Sequence, residues 1–124
     1  MILISGATGF LGTHLLKFLC LKEEKNIRAL YRSEDKKIYT LNFLKSLLPE
    51  EYLFYIKKIE WSKADLLDLP RLENAFEKIT KVYHCAAWVG NSPKDYNLMR
   101  KVNIEGTANM VNLALAYQVD KFCH

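Results

Sequence analysis

No run of 18 apolar residues occurs in this 124-residue chain, which excludes a membrane-spanning helix of ordinary length. The amino terminus also lacks the basic region and cleavage site of a signal peptide, so a cytoplasmic location away from membranes is expected. Cysteine is scarce: Cys20, Cys85 and Cys123 are odd in number and far apart, unlike a disulfide framework or a metal knuckle. They suit a reducing compartment, and no metal site is expected. Lys and Arg exceed Asp and Glu by 18 to 14, yet they never gather into a tract. Pairs such as Lys36-Lys37 and Lys57-Lys58 do not interleave with aromatics, which argues against a nucleic-acid partner. Glycine is scarce too, but three of the five glycines fall within the first twelve residues.

Those three stand in "MILISGATGFLGTHLL". Ile2, Leu3 and Ile4 read as a short buried strand, and from Phe10 onward Leu11, Leu15, Phe18 and Leu19 recur at helical spacing. Gly6, Gly9 and Gly12 therefore occupy a strand-to-helix turn. Such a turn aims unpaired N–H groups and the positive end of a helix dipole at one spot, where an anion fits. Phosphate comes close only where no Cβ intervenes. The spacing is G-x-x-G-x-x-G rather than G-x-G-x-x-G, and a plain tight turn is the alternative reading. A P-loop is disfavoured, because Thr13 and His14 follow Gly12 where Lys and Ser/Thr are needed.

Strand and helix then alternate along a single domain. "NIRALYR" reads as a second strand, and Asp35 as the cap of a helix carrying Ile38, Leu41, Leu44 and Leu48 up to Pro49. "KKIEWSKAD" supplies a third strand with Ile59 and Trp61 on one face. Asp68 and Pro70 open a helix that carries Leu72, Phe76 and Ile79. "KVYHCAAWV", Lys81 to Val89, reads as a fourth strand, followed by a Gly-Asn-Ser-Pro loop. Leu98, Val102, Gly106, Met110, Leu113 and Tyr117 trace one stripe on a long helix. Gly costs about 1 kcal/mol against Ala in a helix, so a neighbour should pack close to Gly106. "VDKFCH" begins a fifth strand, where the sequence stops.

Parallel strands joined by right-handed crossovers give an α/β fold, a doubly wound sheet with helices on both faces. Its ligand site lies outside the carboxyl end of the first strand, where the glycines are. In a dinucleotide fold an acid about 20 residues beyond the glycines accepts the adenosine 2′-hydroxyl. Here that position is Arg32, which cannot accept that bond but can fork onto a 2′-phosphate. NADP is favoured, with NAD possible; the plain alternative is a solvated strand-end cation. Ser33, Lys36 and Lys37 are read as either assisting that phosphate or solubilising the next helix, with the second role favoured for the lysines.

With these residues in place, the chain resembles the amino-terminal portion of the extended short-chain dehydrogenase/reductases, the NAD(P)-dependent epimerases, dehydratases and reductases. "GATGFLG" resembles the family's phosphate-binding turn, implying cofactor contacts at Gly6, Thr8, Gly9, Phe10, Leu11 and Gly12. "KADLLD" resembles the segment flanking adenine, implying Asp65 and Leu66. "VYHCAAWV" is similar to the fourth strand, with Ala86 and Ala87 against ribose and pyrophosphate. "KVNIEGTANMV" resembles the helix whose asparagine, here Asn103, helps organise the active site. The four motifs occur in order and cover nearly the whole chain. Dihydroflavonol-reductase-like and sugar-nucleotide epimerase-like members are the most similar, and thioester-reductase-like ones share the longer insert after the second strand.

The family continues into a Ser/Thr and a Tyr-x-x-x-Lys pair, in which tyrosine exchanges a proton with substrate oxygen and lysine lowers its pKa. That pair and the substrate-binding region are absent. The resemblance thus implies the dinucleotide-binding portion of an oxidoreductase or epimerase acting on a small-molecule substrate, inactive alone. A non-catalytic NADP(H)-sensing module is the alternative. An exposed fifth strand would invite pairing with a second chain, so a homo-oligomer is expected. His84 and Cys85 are read mainly as packing within the fourth strand, and His14 as a surface or packing residue. Trp88 is read as either core or a wall of the pocket.

Overall fold

The computed structural model describes residues 1–90 and 92–124; Asn91 of the Gly-Asn-Ser-Pro loop lies outside them. Five strands form one sheet: β1 (Ile2–Ser5), β2 (Ile27–Tyr31), β3 (Glu60–Lys63), β4 (Lys81–His84) and β5 (Lys121–Cys123). Their order is β3-β2-β1-β4-β5, and every pairing is parallel. The chain thus moves outward on one side of β1, then returns to build on the other. The helices between strands are α1 (Phe10–Leu21), α2 (Glu34–Leu47), α3 (Leu53–Lys58), α4 (Leu69–Asn74), α5 (Tyr96–Arg100) and α6 (Thr107–Ala116).

Side-chain alternation divides the core in two. Ile2, Ile4, Ile27 and Ala29 face α1, α2 and α3 with Leu16, Leu19, Leu44 and Ile56. Leu3, Leu30 and Val82 face the other way, onto Leu72, Phe76, Met110 and Leu113 of the α4 and α6 side. Strands buried on both faces read as unbroken apolar runs, which explains "ILI" at the start. Ile59 and Trp61 do share a face, both packing with the α1–α3 group.

Local chemistry shifts several boundaries. Ser33, not Asp35, caps α2: its Oγ accepts the Lys36 N–H at 3.4 Å, and Asp35 lies in the first turn, where its charge suits the dipole. Helix α3 follows a 3₁₀ turn at Glu50–Tyr52, an element with only Ile56 buried and too little apolar periodicity to read. Asp68 caps α4 as expected, accepting the Arg71 N–H at 3.4 Å. β4 ends at His84 rather than Val89, because beyond it the chain leaves the ladder to run over the end of β1.

The long helical stripe is real but not uniformly α-helical. Between α5 and α6, Lys101–Gly106 forms a π-helical segment. Residues 98, 102, 106 and 110 advance in steps of four, each drifting about 40° around a 3.6-residue turn. A wider turn absorbs that drift, keeping Val102, Gly106 and Met110 buried on one side. The neighbour of Gly106 is Leu66: a Cβ on Gly106 would stand 2.9 Å from the Leu66 Cβ.

Arg28 fastens the opposite end of the sheet. It is only 8% exposed, and its guanidinium donates to both Glu60 oxygens at 2.7 and 3.2 Å. Its Nη1 also donates to the carbonyls of Ala75 and Glu77 at 2.8 and 2.9 Å. β2, β3 and the end of α4 are thereby tied together. Arg28→Met should lower stability by on the order of 2 kcal/mol, since carbonyls and a carboxylate lose a charged donor. Urea unfolding checks this, and an unchanged midpoint would refute the tie.

Candidate functional site

The site grows from the direction in which the chain leaves β1. Gly6 has φ +66°, a left-handed conformation that side chains resist. A Cβ there would also meet the Ala86 backbone nitrogen at 2.6 Å. The turn after β1 and the segment after β4 therefore touch backbone to backbone. Gly12 keeps the first turn of α1 against the same bend, where any Cβ would run into the Gly6 carbonyl oxygen. Gly9 stands at the N-cap with no side-chain cap, and its own N–H bonds the Gly6 carbonyl at 2.9 Å. The N–H groups of the first helical turn are left without side-chain acceptors.

A crevice opens above this bend, between the ends of β2 and β3 on one side and β4 on the other. Of the residues singled out from the sequence, Gly6, Thr8, Gly9, Arg32, Asp65, Leu66, Ala86 and Ala87 line it. Phe10, Leu11 and Gly12 do not. Phe10 and Leu11 project into solvent at 85% and 63% exposure, and Phe10 borders a second cleft with His14, Tyr39 and Phe43. Gly12 supports the bend from behind. Ser5, Leu30, Tyr31, Lys36, Ala64, Cys85 and Val102 also line the crevice. Lys36 thus stands at the site, the less favoured of the two placements read from the sequence. Lys37 does not, being paired with Glu34 at 2.9 Å and lying 4.5 Å over the Tyr31 ring.

Each wall is braced. Asp65 Oδ1 accepts the Leu67 N–H at 2.9 Å, while its Oδ2 accepts from Arg32 Nη1 at 3.3 Å. Asn103, on the π-helical segment, holds the Trp88 residue from both sides: Oδ1 accepts its N–H at 2.8 Å and Nδ2 donates to its carbonyl at 3.0 Å. Extra-wide helical turns often mark functional sites. Here the turn presents Asn103 to the segment that covers the crevice.

Beneath the bend lies a buried polar chain that composition and spacing do not reveal. Ser5 Oγ and His84 Nδ1 are 2.6 Å apart, and His84 Nε2 is 2.9 Å from Thr107 Oγ1. Ser5 Oγ also accepts the Ala86 N–H at 3.3 Å. Burial, reinforced by nearby His124, pushes the His84 pKa down to about 4, so the ring is neutral near pH 7. One ring nitrogen therefore donates and the other accepts. His84 is more than packing: it couples β1, α6 and the Ala86 peptide. Burial also raises the Cys85 pKa, leaving a thiol rather than a thiolate at the crevice wall. Among the described residues, no three metal-ligating side chains converge, and no helix is long and apolar enough to cross a membrane.

A parallel sheet whose order reverses at β1, with a bend free of side chains at that switch point, defines a Rossmann-like dinucleotide-binding domain of the extended short-chain dehydrogenase/reductase type. The chain belongs to the NAD-binding family described as "Male sterility protein", whose model matches residues 4–124. The dTDP-D-glucose 4,6-dehydratase of Dictyostelium discoideum is 34% identical over 128 residues, covering 99% of this chain and 28% of its own length. The terminal R domain of the myxalamid PKS-NRPS pathway superposes with a TM-score of 0.75 at 30% identity, over 98% of this chain and 33% of that one. The UDP-glucose 4-epimerase of Thermus thermophilus, solved with NAD, shares the fold with a TM-score of 0.72 at 23% identity, over 98% and 35%. This chain spans about a third of the length of the curated relatives it matches.

The buried histidine sets a pH dependence. In the unfolded chain His84 takes up a proton near pH 6.5, whereas in the fold it does so only near 4. Below pH 6.5 the unfolded state therefore binds more protons, and stability falls as pH drops from 6.5 towards 4. The loss should be at most about 3 kcal/mol. Comparing urea unfolding at pH 7 and pH 5 for the protein and for His84→Gln isolates the effect. The same slope in both would refute it.

Proposed function

We propose that this chain is the NADP(H)-binding portion of an enzyme that moves hydride between a nicotinamide ring and a carbonyl or alcohol carbon of a small molecule. The observation that carries the reading is the contact of Gly6 with the Ala86 backbone at the floor of the crevice, an approach that any side chain would prevent. A diphosphate suits it: α1 starts from Gly9, which lines the crevice and carries no side-chain cap, and the helix dipole favours negative charge there. The epimerase of the same fold is a protein solved with NAD, which supports a nicotinamide dinucleotide as the ligand.

Arg32 and Lys36 supply the preference for a 2′-phosphate. Both line the β2 end of the crevice, and Arg32 stands where a carboxylate would be needed to accept a 2′-hydroxyl. Asp65 and Leu66 are placed to flank the adenine, and Ala86 and Ala87 to leave room for ribose and diphosphate. Asn103 fixes the backbone of the covering segment rather than touching the crevice itself.

The dinucleotide, when bound, supplies or receives the hydride. This chain's part is to hold it in register and to keep side chains away from its phosphates. In the family that this chain resembles, proton exchange with the substrate oxygen falls to a Tyr-x-x-x-Lys pair, and no such pair lines the crevice among the described residues. Tyr117 and Lys121 have that spacing but cannot replace it. They bracket the turn from α6 into β5, at the amino end of the strands, whereas the crevice is at the carboxyl end.

Calorimetric titration with NADPH and NADH tests the reading. NADPH should bind more tightly, and Arg32→Ala should erase roughly ten- to a hundredfold of that preference, the value of one or two charge-assisted bonds. Equal discrimination before and after the substitution would overturn the role of Arg32.

A further inference from the structure

Asp65 lines the crevice after β3, and Trp88 lies two residues past Ala86 on the segment that follows β4. In the sheet order these strands are three steps apart, a span of about 14 Å at the usual strand spacing. One side chain, that of Arg32, touches a residue beyond each of them. Arg32 Nη1 lies 3.3 Å from Asp65 Oδ2, and Arg32 Cζ lies 5.5 Å from the centre of the Trp88 ring. The guanidinium is thus held at the crevice between Asp65 and the Trp88 ring.

The two ends of this bridge differ from its middle in how firmly they are held. Asn103 pins the Trp88 backbone through two hydrogen bonds, and the ring packs against the α4 and α6 core. Asp65 is anchored through the Leu67 N–H. The Arg32 side chain is 51% exposed and has a single long bond to Asp65. It is the movable part. It lines the same crevice as Asp65 and Ala86.

We infer that Arg32 is a displaceable strap over the crevice and that Trp88 is its resting perch. The inference rests on the dinucleotide reading and adds a step to it: the guanidinium must leave the indole before the adenosine half can seat. A 2′-phosphate then gives the released cation a new partner. The cost of leaving the perch is common to ligands with and without that phosphate. Trp88 therefore sets affinity for both, while Arg32, with Lys36, sets the difference between them.

The protein has two tryptophans, and Trp61→Phe leaves Trp88 as the only indole emitter. Among the described residues the Trp61 indole N–H is the buried side-chain donor with no acceptor, so Phe should be tolerated there. The ligands are 2′,5′-ADP and 5′-ADP, which lack the nicotinamide that would quench the indole, with binding followed in parallel by calorimetry. Both should change Trp88 emission as they bind. Arg32→Ala should show the changed emission before any ligand is added, with no further change on binding.

Trp88→Leu should tighten both ligands equally, by two- to fivefold, the equivalent of about 0.5–1 kcal/mol for one exposed cation–π contact. In the Arg32→Ala background the same substitution should have no effect. Calorimetric binding with unchanged Trp88 emission would overturn the strap while leaving the dinucleotide reading intact. Weaker binding by Trp88→Leu would do the same, since Trp88 would then be part of the seat. No calorimetric binding of either ligand would overturn the dinucleotide reading and the strap with it.

Discussion

The approach of one backbone to another, Gly6 against Ala86, is the constraint on which the rest of this structure depends. It brings the chain leaving β1 and the chain leaving β4 together with no side chain between them. Because the sheet order turns back at β1, the connections on either side diverge to opposite faces and a crevice opens above that contact. Gly12 keeps the start of α1 close behind it. A Cβ at Gly6 would both strain the turn and push β4's extension away.

Around this contact the protein concentrates much of its buried polar chemistry. Ser5, His84 and Thr107 form a chain beneath the bend, and Ser5 reaches the Ala86 N–H from the same hydroxyl. Two residues further along the covering segment, Asn103 fixes the backbone of Trp88. A buried polar group is costly unless satisfied, so such a network favours a single arrangement of the two loops. The crevice is thus shaped before a ligand arrives, except for the half-exposed Arg32 side chain that lines it.

Much of this is legible in the residues, for identifiable reasons. The doubly wound sheet follows from apolar runs alternating with helical stripes, and the bend follows from three glycines among five falling within twelve residues. The close neighbour of Gly106 is legible from its place in a buried stripe, and the structure supplies Leu66. The π-helical turn leaves a trace in the repeated steps of four, though that trace reads equally as an ordinary stripe with loose spacing. Other features leave none. The Arg28 tie joins residues more than thirty positions apart, and the Ser5–His84 contact joins residues 79 apart. For Lys36 the residues alone favour the blander of two roles, because a lysine near a helix start is ordinarily solvated; the placement of α2 brings it to the crevice. Phe10 and Leu11 carry the motif, yet their side chains face outward, so any contact they make with a diphosphate is through their backbone.

Whether the bend after β1 seats a diphosphate is tested most directly by amide NMR during a titration with inorganic pyrophosphate. The largest shifts should fall on the amides of Gly9, Phe10, Leu11 and Gly12. Shifts centred instead on the cleft of His14, Tyr39 and Phe43, with those four amides unmoved, would contradict that seat.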